Sequence, residues 1–151
     1  MSFQSDIQAL QTVLNSEIPL TRALGVRVEA YDHKTLCLTA PLEENINHKS
    51  TAFGGSLYSL AVLSGWGLLY LLLKKHGLAG HIVIQHSEID YIKPVCSDIY
   101  AYCQFDSDKQ IERFLTMYQR RGVTRVKLNT SIEQDGEVAV KFCGTYVIHS
   151  A

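Results

Sequence analysis

The longest apolar block of the chain runs from Ser50 to Leu73 without a charged side chain. A stretch of this length is typical of a membrane-spanning helix, and also of a helix that is buried on all sides in a protein core. Lys74, Lys75 and Gly77 end the block with residues typical of a helix C-terminus. The pattern therefore predicts one long helix at about residues 53–75, and the surrounding elements decide where it lies.

Two helical segments and a hairpin are predicted before this block. Residues 5–15 have apolar side chains at helical spacing, with Ser5 or Asp6 as the expected cap. Pro19 begins a short helical turn that ends at Gly25. Apolar residues then alternate on both sides of a polar turn at 32–34, which is the pattern of a hairpin. The alternating residues are Val26, Val28 and Ala30, and then Leu36, Leu38 and Ala40.

The chain after Gly80 reads mainly as strands. Residues 81–93 alternate, but their apolar side chains change face, so either both faces are covered or a bulge lies near Gln85–Ser87. Another strand is predicted at 99–105. Residues 107–110 have the pattern of a capping box and introduce a short helix. Two further strands flank Asp135-Gly136, which is a strong hairpin signal.

The order of these elements favours a buried central helix. An antiparallel sheet of this size needs a cover for its apolar face, and the long apolar helix is the element available. A membrane span would leave the C-terminal strands without that cover. It would also contain many small and polar residues, namely Gly54, Gly55, Ser56, Ser59, Ser64, Gly65 and Gly67. We therefore predict an α+β protein without a membrane span.

Composition narrows the class of protein further. A chain of 151 residues with 46% hydrophobic and 19% charged residues is expected to fold as one globular domain, 1–151. A formal net charge of −1 gives no reason to expect nucleic acid as a partner. Neither the four cysteines nor the six histidines have metal-ligand spacing, so no metal or other cofactor is predicted. The unpaired cysteines and the absence of a signal peptide in residues 1–15 suggest a cytoplasmic location.

Three features in order carry a resemblance to a known superfamily. They are Asn47-x5-Phe53-Gly54-Gly55, the following Leu60-Ala61, and the strand end Asp90-Tyr91-Ile92-Lys93-Pro94-Val95. From about Gly25 onward the chain resembles the hotdog-fold thioesterases, in which a curved antiparallel sheet wraps one long helix. It is most similar to the thioesterase-like domain found alone, or as the C-terminal half of bacterial acetyltransferase–thioesterase fusions. The resemblance implies hydrolysis of acyl thioesters of coenzyme A or acyl carrier protein, at sites between subunits of a homodimer or dimer of dimers.

Gly54-Gly55 is the first candidate for catalysis. Backbone N–H groups at a helix start stabilise the negative charge that develops on a thioester carbonyl when water attacks it, and glycine lets the substrate approach closely. The alternative is that the pair only packs the helix start against the sheet. Asn47 matches the position at which related enzymes hold the attacking water, or else it stabilises a turn. His48 is a candidate general base, and the alternative is a solvated loop histidine.

The chain departs from the related Asn…His-Gly-Gly subgroup at two positions. Val62 occupies the helix position where those proteins have an acidic residue, and Phe53 stands in place of their histidine. Water activation must then come from elsewhere. Ser64 is the nearest polar helix residue, although it equally suits a bond back to a helix carbonyl. Glu88 and Asp90, predicted on one face of their strand with His86, are the other candidates, or else they are surface charges.

Substrate binding has its own candidates. Phe53 and Tyr58 are expected to contact the acyl group. Arg120, Arg121 and Arg125 lie around the start of a strand, where they either hold the phosphates of coenzyme A or form a solvated face. We predict a thioesterase. The alternatives are a non-catalytic acyl-CoA binding module, which the missing helix acid favours, and an acyl-thioester hydratase or dehydratase, which would need that acid.

Overall fold

A computed structural model describes residues 3–150 of the chain. The predicted single domain therefore extends beyond the described residues by positions 1, 2 and 151. The helices are α1 (Gln4–Glu17), α2 (Leu20–Leu24), α3 (Gly54–Lys75) and α4 (Asp108–Arg121). The strands are β1 (Arg27–Tyr31), β2 (Thr35–Ala40), β3 (His81–Tyr91), β4 (Ile99–Gln104), β5 (Val123–Gln134) and β6 (Glu137–His149).

The six strands form one antiparallel sheet in the order β1-β2-β4-β5-β6-β3. α3 packs against β2, β3, β4, β5 and β6, so the sheet curves around this helix. The face of the sheet towards α3 is called the inner face below, and the opposite face is called the outer face. The predicted α+β architecture of a curved sheet around one long helix is confirmed.

α3 forms the centre of the hydrophobic core. It is long and apolar enough to cross a membrane, but 72% of its most apolar window is buried inside the fold. Leu60, Leu68 and Leu69 are completely enclosed, because the sheet covers most sides of the helix. The prediction of a buried central helix at about 53–75 is confirmed, and the helix start falls at the glycine pair.

Two details of the N-terminal prediction are wrong. α1 begins at Gln4, and Phe3 is its N-cap without a side-chain hydrogen bond, so neither Ser5 nor Asp6 caps the helix. In β1 the register shifts between Val28 and Ala30, which leaves Ala30 exposed and turns the next residue, Tyr31, into the core. A bulge of this kind interrupts strict alternation, and no turn residue marks it in the sequence.

The predictions for the C-terminal half agree better with the structure than those for the N-terminal segments. A register shift lies between Ile84 and His86, as the mixed pattern of β3 suggested. Ser107 caps α4, since its Oγ accepts the N–H of Gln110 at 3.2 Å, while the Gln110 side chain accepts from Asp106 rather than from Ser107. Gln110 Nε2 also donates to the Lys127 carbonyl at 2.8 Å, which ties α4 to the part of β5 that extends beyond β4.

Candidate active site

The start of α3 exposes two backbone donors. Phe53 is the N-cap in an extended conformation, and its side chain caps nothing. The N–H groups of Ser56 and Leu57 both donate to the Phe53 carbonyl, at 3.0 and 3.1 Å. No acceptor within residues 3–150 takes the N–H groups of Gly54 and Gly55. These two donors are therefore free at the positive end of a 22-residue helix, which is the arrangement that stabilises a negative charge.

The two glycines have different surroundings. A Cβ at Gly55 would lie 2.5 Å from Cε2 of Phe53, because the Phe53 ring packs directly over the Gly55 backbone. A Cβ at Gly54 would lie 3.5 Å from the Tyr91 ring, which is an ordinary contact. The Tyr91 hydroxyl donates to the Gly54 carbonyl at 3.0 Å. Local packing therefore tolerates alanine at position 54, whereas alanine at position 55 would require the exposed Phe53 ring to move.

Tyr91 joins this site from the end of β3. Sequence reasoning noted it only as part of a strand-end motif and missed its contact with Gly54. Partial burial raises the pKa of the Tyr91 phenol, and the nearby Tyr58 raises it further. The phenol therefore stays protonated at neutral pH and remains a hydrogen-bond donor beside the helix start.

The loop before α3 is shaped by Asn47. Its Oδ1 accepts the N–H groups of Lys49 and Thr51, at 2.8 and 3.2 Å. Its Nδ2 donates to Thr51 Oγ1 at 2.8 Å and approaches the Ala52 carbonyl at 3.5 Å. The amide is thus fully engaged inside its own loop. His48 is exposed, and no partner for it occurs in the described part of the chain. A direct catalytic role for either residue stays a prediction.

A second asparagine, which sequence reasoning did not single out, fixes the position of the helix start. Asn45 is only 2% exposed, and its Nδ2 donates to the carbonyls of Leu24 and Pro41, at 2.9 and 2.7 Å. The backbone carbonyl of Asn45 accepts the Phe53 N–H at 2.7 Å. Asn45 and Asn47 are two residues apart in a polar loop. Nothing in the sequence therefore indicated that Asn45 fixes the helix start and that Asn47 shapes the turn.

One face of α3 continues from the glycine pair along the edge strand β3. Gly55, Tyr58 and Val62 follow the spacing i, i+3, i+7 and share this face. The Tyr58 hydroxyl hydrogen-bonds to Ser87 Oγ at 2.7 Å, and its ring packs edge-on against Phe142 with centroids 5.7 Å apart. Val62 is half-buried on the same face. The position where related proteins have an acid therefore holds an aliphatic side chain next to the site.

Ser64 lies elsewhere. It is two residues beyond Val62, about 200° around the helix, and it is completely buried. Its hydroxyl donates to the Ala61 carbonyl at 2.7 Å and pairs with Thr130 Oγ1 at 3.0 Å. The structure does not bring Ser64 together with the glycine pair, and the contacts are those of a serine bonded back to its own helix.

Glu88 and Asp90 lie on the outer face of the sheet. Ser87 and Tyr91 contact α3 on the inner face, and side chains alternate along a strand. The two acids stand opposite Cys143 and Lys141 of β6 and line a groove of about 630 Å³ on the outer face. The sheet therefore separates both acids from the glycine pair of the same chain. A catalytic role for them stays a prediction and would require a different subunit's site.

The predicted phosphate-binding arginines gather around the end of α4. Arg120 and Arg121 belong to its last turn, and Arg125 projects from the exposed face of β5. None of the three forms an ion pair with another residue of the described chain. A cleft of about 390 Å³ between α4 and β5 is lined by Arg125 together with Arg113 and Lys127, but not by Arg120 or Arg121. Sequence reasoning missed Arg113, because helical periodicity marks an exposed position without indicating what lies across from it.

The curved sheet around a central helix, with a glycine pair at the helix start, defines a hotdog-fold protein of the thioesterase type. Residues 7–150 match the family described as "Putative thioesterase (yiiD_Cterm)". The chain belongs to this family.

Solved structures agree with that assignment. A protein of unknown function from Chlorobaculum tepidum is 35% identical, with a TM-score of 0.90 over 95% of this chain and 94% of that chain. A "putative thioesterase" from Shewanella oneidensis is 28% identical, with a TM-score of 0.88 over 98% and 99% of the two chains. A "probable thioesterase" from Pseudomonas aeruginosa, at 21% identity and a TM-score of 0.81, covers 95% of each chain and shares the fold.

Proposed function

We propose that the protein hydrolyses acyl thioesters of coenzyme A or of acyl carrier protein. The observation that carries this proposal is the pair of free N–H donors at Gly54 and Gly55. In the proposed reaction, the thioester carbonyl oxygen binds these donors, water attacks the carbonyl carbon, and the thiol leaves. Preorganised donors of this kind lower the barrier because they stabilise charge that is absent in the ground state.

Exposed apolar side chains near the helix start support binding of the acyl thioester. Phe53 is 56% exposed beside Gly55, and Tyr91 is 52% exposed beside Gly54. Ile92, which follows Tyr91 in the chain, and Ile46, which pairs with Ala52 next to Phe53, add exposed apolar surface. We propose that Phe53 and Tyr58 contact the substrate here, and that Arg120, Arg121 and Arg125 hold the phosphates of coenzyme A.

A panel of acyl-CoAs of increasing chain length tests the proposal, with release of free thiol as the measurement. We expect turnover of at least one acyl chain. The same acyl group on a pantetheine lacking the nucleotide should have a raised KM with a similar kcat, if the arginines hold phosphate. Tight binding of one acyl-CoA without turnover of any would contradict hydrolysis. That result would favour a binding module, the alternative that the aliphatic Val62 supports.

We also propose that the protein forms a homodimer through β3. Within the described residues this strand pairs only with β6, so its other edge leaves backbone groups unpaired over residues 81–91. An exposed edge of this length is a template for pairing with a second strand. Light scattering should return twice the mass of one chain, or four times that mass for a dimer of dimers, and hydrogen exchange should find the β3 amides protected. A single-chain mass at micromolar concentration, with fast exchange along β3, would contradict the dimer.

A further inference from the structure

A backbone irregularity points Ser87 at the helix. The register between β3 and β6 shifts between Ile84 and His86, so one extra residue lies in β3. The bulge allows both Ile84, before it, and Ser87, after it, to face the inner side, where Ser87 meets the Tyr58 hydroxyl at 2.7 Å. Bulges are found next to active sites because they redirect a side chain. Here the redirected side chain is a small hydroxyl group on the edge strand.

Tyr58 lies close to the free backbone donors. It follows Gly54 by four residues and Gly55 by three, so all three are neighbours on one helix face. Helical side chains lean towards the N-terminus, so the Tyr58 side chain lies on the same face as the turn that begins with the glycine pair. Contact with Phe142 holds the ring, and both hydroxyls of the Tyr58–Ser87 pair remain only partly buried.

Among residues 3–150, no carboxylate or imidazole is hydrogen-bonded to this pair. α3 has none, and the acids of β3 that lie nearest in sequence, Glu88 and Asp90, are on the outer face. Among the described residues, Tyr58 acts electrostatically on the phenols of Tyr91 on β3 and Tyr146 on β6, and the thiols of Cys103 and Cys143 also lie near Tyr146. Burial is the largest cause of the raised pKa of both phenols, and nearby groups (Tyr58 at Tyr91, and Cys103, Tyr58 and Cys143 at Tyr146) raise the pKa further. Both are therefore neutral over the range in which carboxylates and imidazoles titrate.

We propose that the Tyr58–Ser87 hydroxyl pair performs the proton transfer that a helix carboxylate performs in related enzymes. This inference rests on the proposed thioester hydrolysis. The water oxygen forms a bond to the carbonyl carbon and the C–S bond breaks. One hydroxyl receives the proton of the water, a proton crosses the hydrogen bond between the two hydroxyls, and the other hydroxyl releases a proton to the departing sulfur. The products are a carboxylic acid and a thiol, and the pair ends as it began.

Single-hydroxyl variants test the pair on an acyl-CoA that the wild-type protein hydrolyses. Tyr58→Phe keeps the ring on Phe142, and Ser87→Ala keeps the strand. Each should lower kcat about 100-fold, which is the scale of a lost proton-transfer group, with KM changed less than threefold. The kcat of the double variant should be no lower than that of the slower single variant, because the two groups act as a unit. Ser87→Thr, which retains a hydroxyl, should recover most of the rate.

Matched controls separate chemistry from structure. Tyr70→Phe removes a phenol that stacks on Trp66 on the same helix, and Ser131→Ala removes a hydroxyl on β5. Both should keep wild-type kcat. The wild-type kcat should be flat from about pH 3 to pH 8, because hydroxyl groups do not titrate there, whereas carboxylates and imidazoles do.

Three results would overturn the inference while hydrolysis itself stands. They are a kcat of Tyr58→Phe within threefold of wild type, multiplicative losses in the double variant, and an acidic limb of kcat near pH 4 or pH 6.5. That limb would identify a carboxylate or an imidazole as the base. If the wild-type protein hydrolyses no acyl-CoA or acyl carrier protein, the proposed function fails first and the inference falls with it.

Discussion

Gly54→Pro is expected to lower kcat about 100-fold to 1000-fold on a hydrolysed acyl thioester, because it removes one of the two donors proposed for the oxyanion. Gly54→Ala, which keeps the N–H, should stay within about tenfold of wild type. The difference in kcat between the two variants measures the contribution of the Gly54 backbone N–H. Steady-state thiol release, with kcat and KM determined separately, measures it.

The geometry at position 54 makes this comparison practicable. Proline is favoured at the first helical position, where the missing N–H has no acceptor in the helix. The residue before a proline must be extended, and Phe53 already has φ −66° and ψ 134°. The alanine Cβ would meet the Tyr91 ring at 3.5 Å without a clash. Both variants should therefore fold, and thermal unfolding provides the control for that.

The same pair of substitutions at position 55 completes the test. Gly55→Ala displaces the Phe53 ring, since its Cβ would lie 2.5 Å from Cε2, and so measures the cost of moving that ring. Gly55→Pro adds the loss of the second N–H. If both proline variants match their alanine controls in kcat, the backbone donors do not stabilise the transition state and the proposed mechanism is wrong.

Gly65→Ala is expected to destabilise the fold by about 3 kcal/mol, the upper part of the range for overpacking a core. An alanine Cβ would lie 2.6 Å from Cε1 of Tyr146 and closer still to its hydroxyl. Tyr146 cannot move aside easily, because it is 1% exposed and its hydroxyl donates to the Val62 carbonyl at 2.8 Å. In an unconstrained helix the same substitution would stabilise by about 1 kcal/mol, so the sign of the change is diagnostic.

Gly67→Ala, on the same helix, is the matched comparison. Its Cβ would meet the terminal methyl groups Cδ2 of Leu36 at 2.9 Å and Cδ2 of Leu10 at 3.0 Å, so the overlap is smaller than the one with Tyr146. Gly67→Ala should therefore lose clearly less stability than Gly65→Ala. Chemical denaturation with an unchanged m-value gives both free energies of unfolding. A Gly65→Ala protein as stable as wild type would contradict the tight packing of Tyr146 against the helix.

The elements with strong periodicity were predictable. α3 follows from the absence of charge between Ser50 and Leu73, and the β5–β6 turn follows from Asp135-Gly136, which both adopt positive φ values. The burial of α3 was predictable because the strands of the sheet need an apolar element to cover one face. The details that failed are local irregularities, such as the bulge that exposes Ala30, where the energy of burying Tyr31 outweighs regular alternation.

The candidate site was only partly predictable. The glycine pair and the missing acid at Val62 were visible in the sequence, because a motif places them by spacing alone. Periodicity correctly grouped Glu88 with Asp90, but it did not indicate which face of β3 covers the helix. That face depends on one extra residue at the bulge, and a shift of one residue reverses every side chain after it.

The sequence by itself determined the fold class, the buried helix and the location of two backbone donors at its start, since each depends on patterns within one segment. Only the tertiary structure decided that Ser64 is enclosed in the core, that Asn47 is engaged in its own loop, and that Ser87 meets Tyr58. The Ser64–Thr130 and Ser87–Tyr58 pairs join segments distant in the chain, whereas Asn47 bonds only to residues two to five positions away. Spacing within a segment carries no information about the distant pairs, because packing of the whole sheet against α3 sets the register.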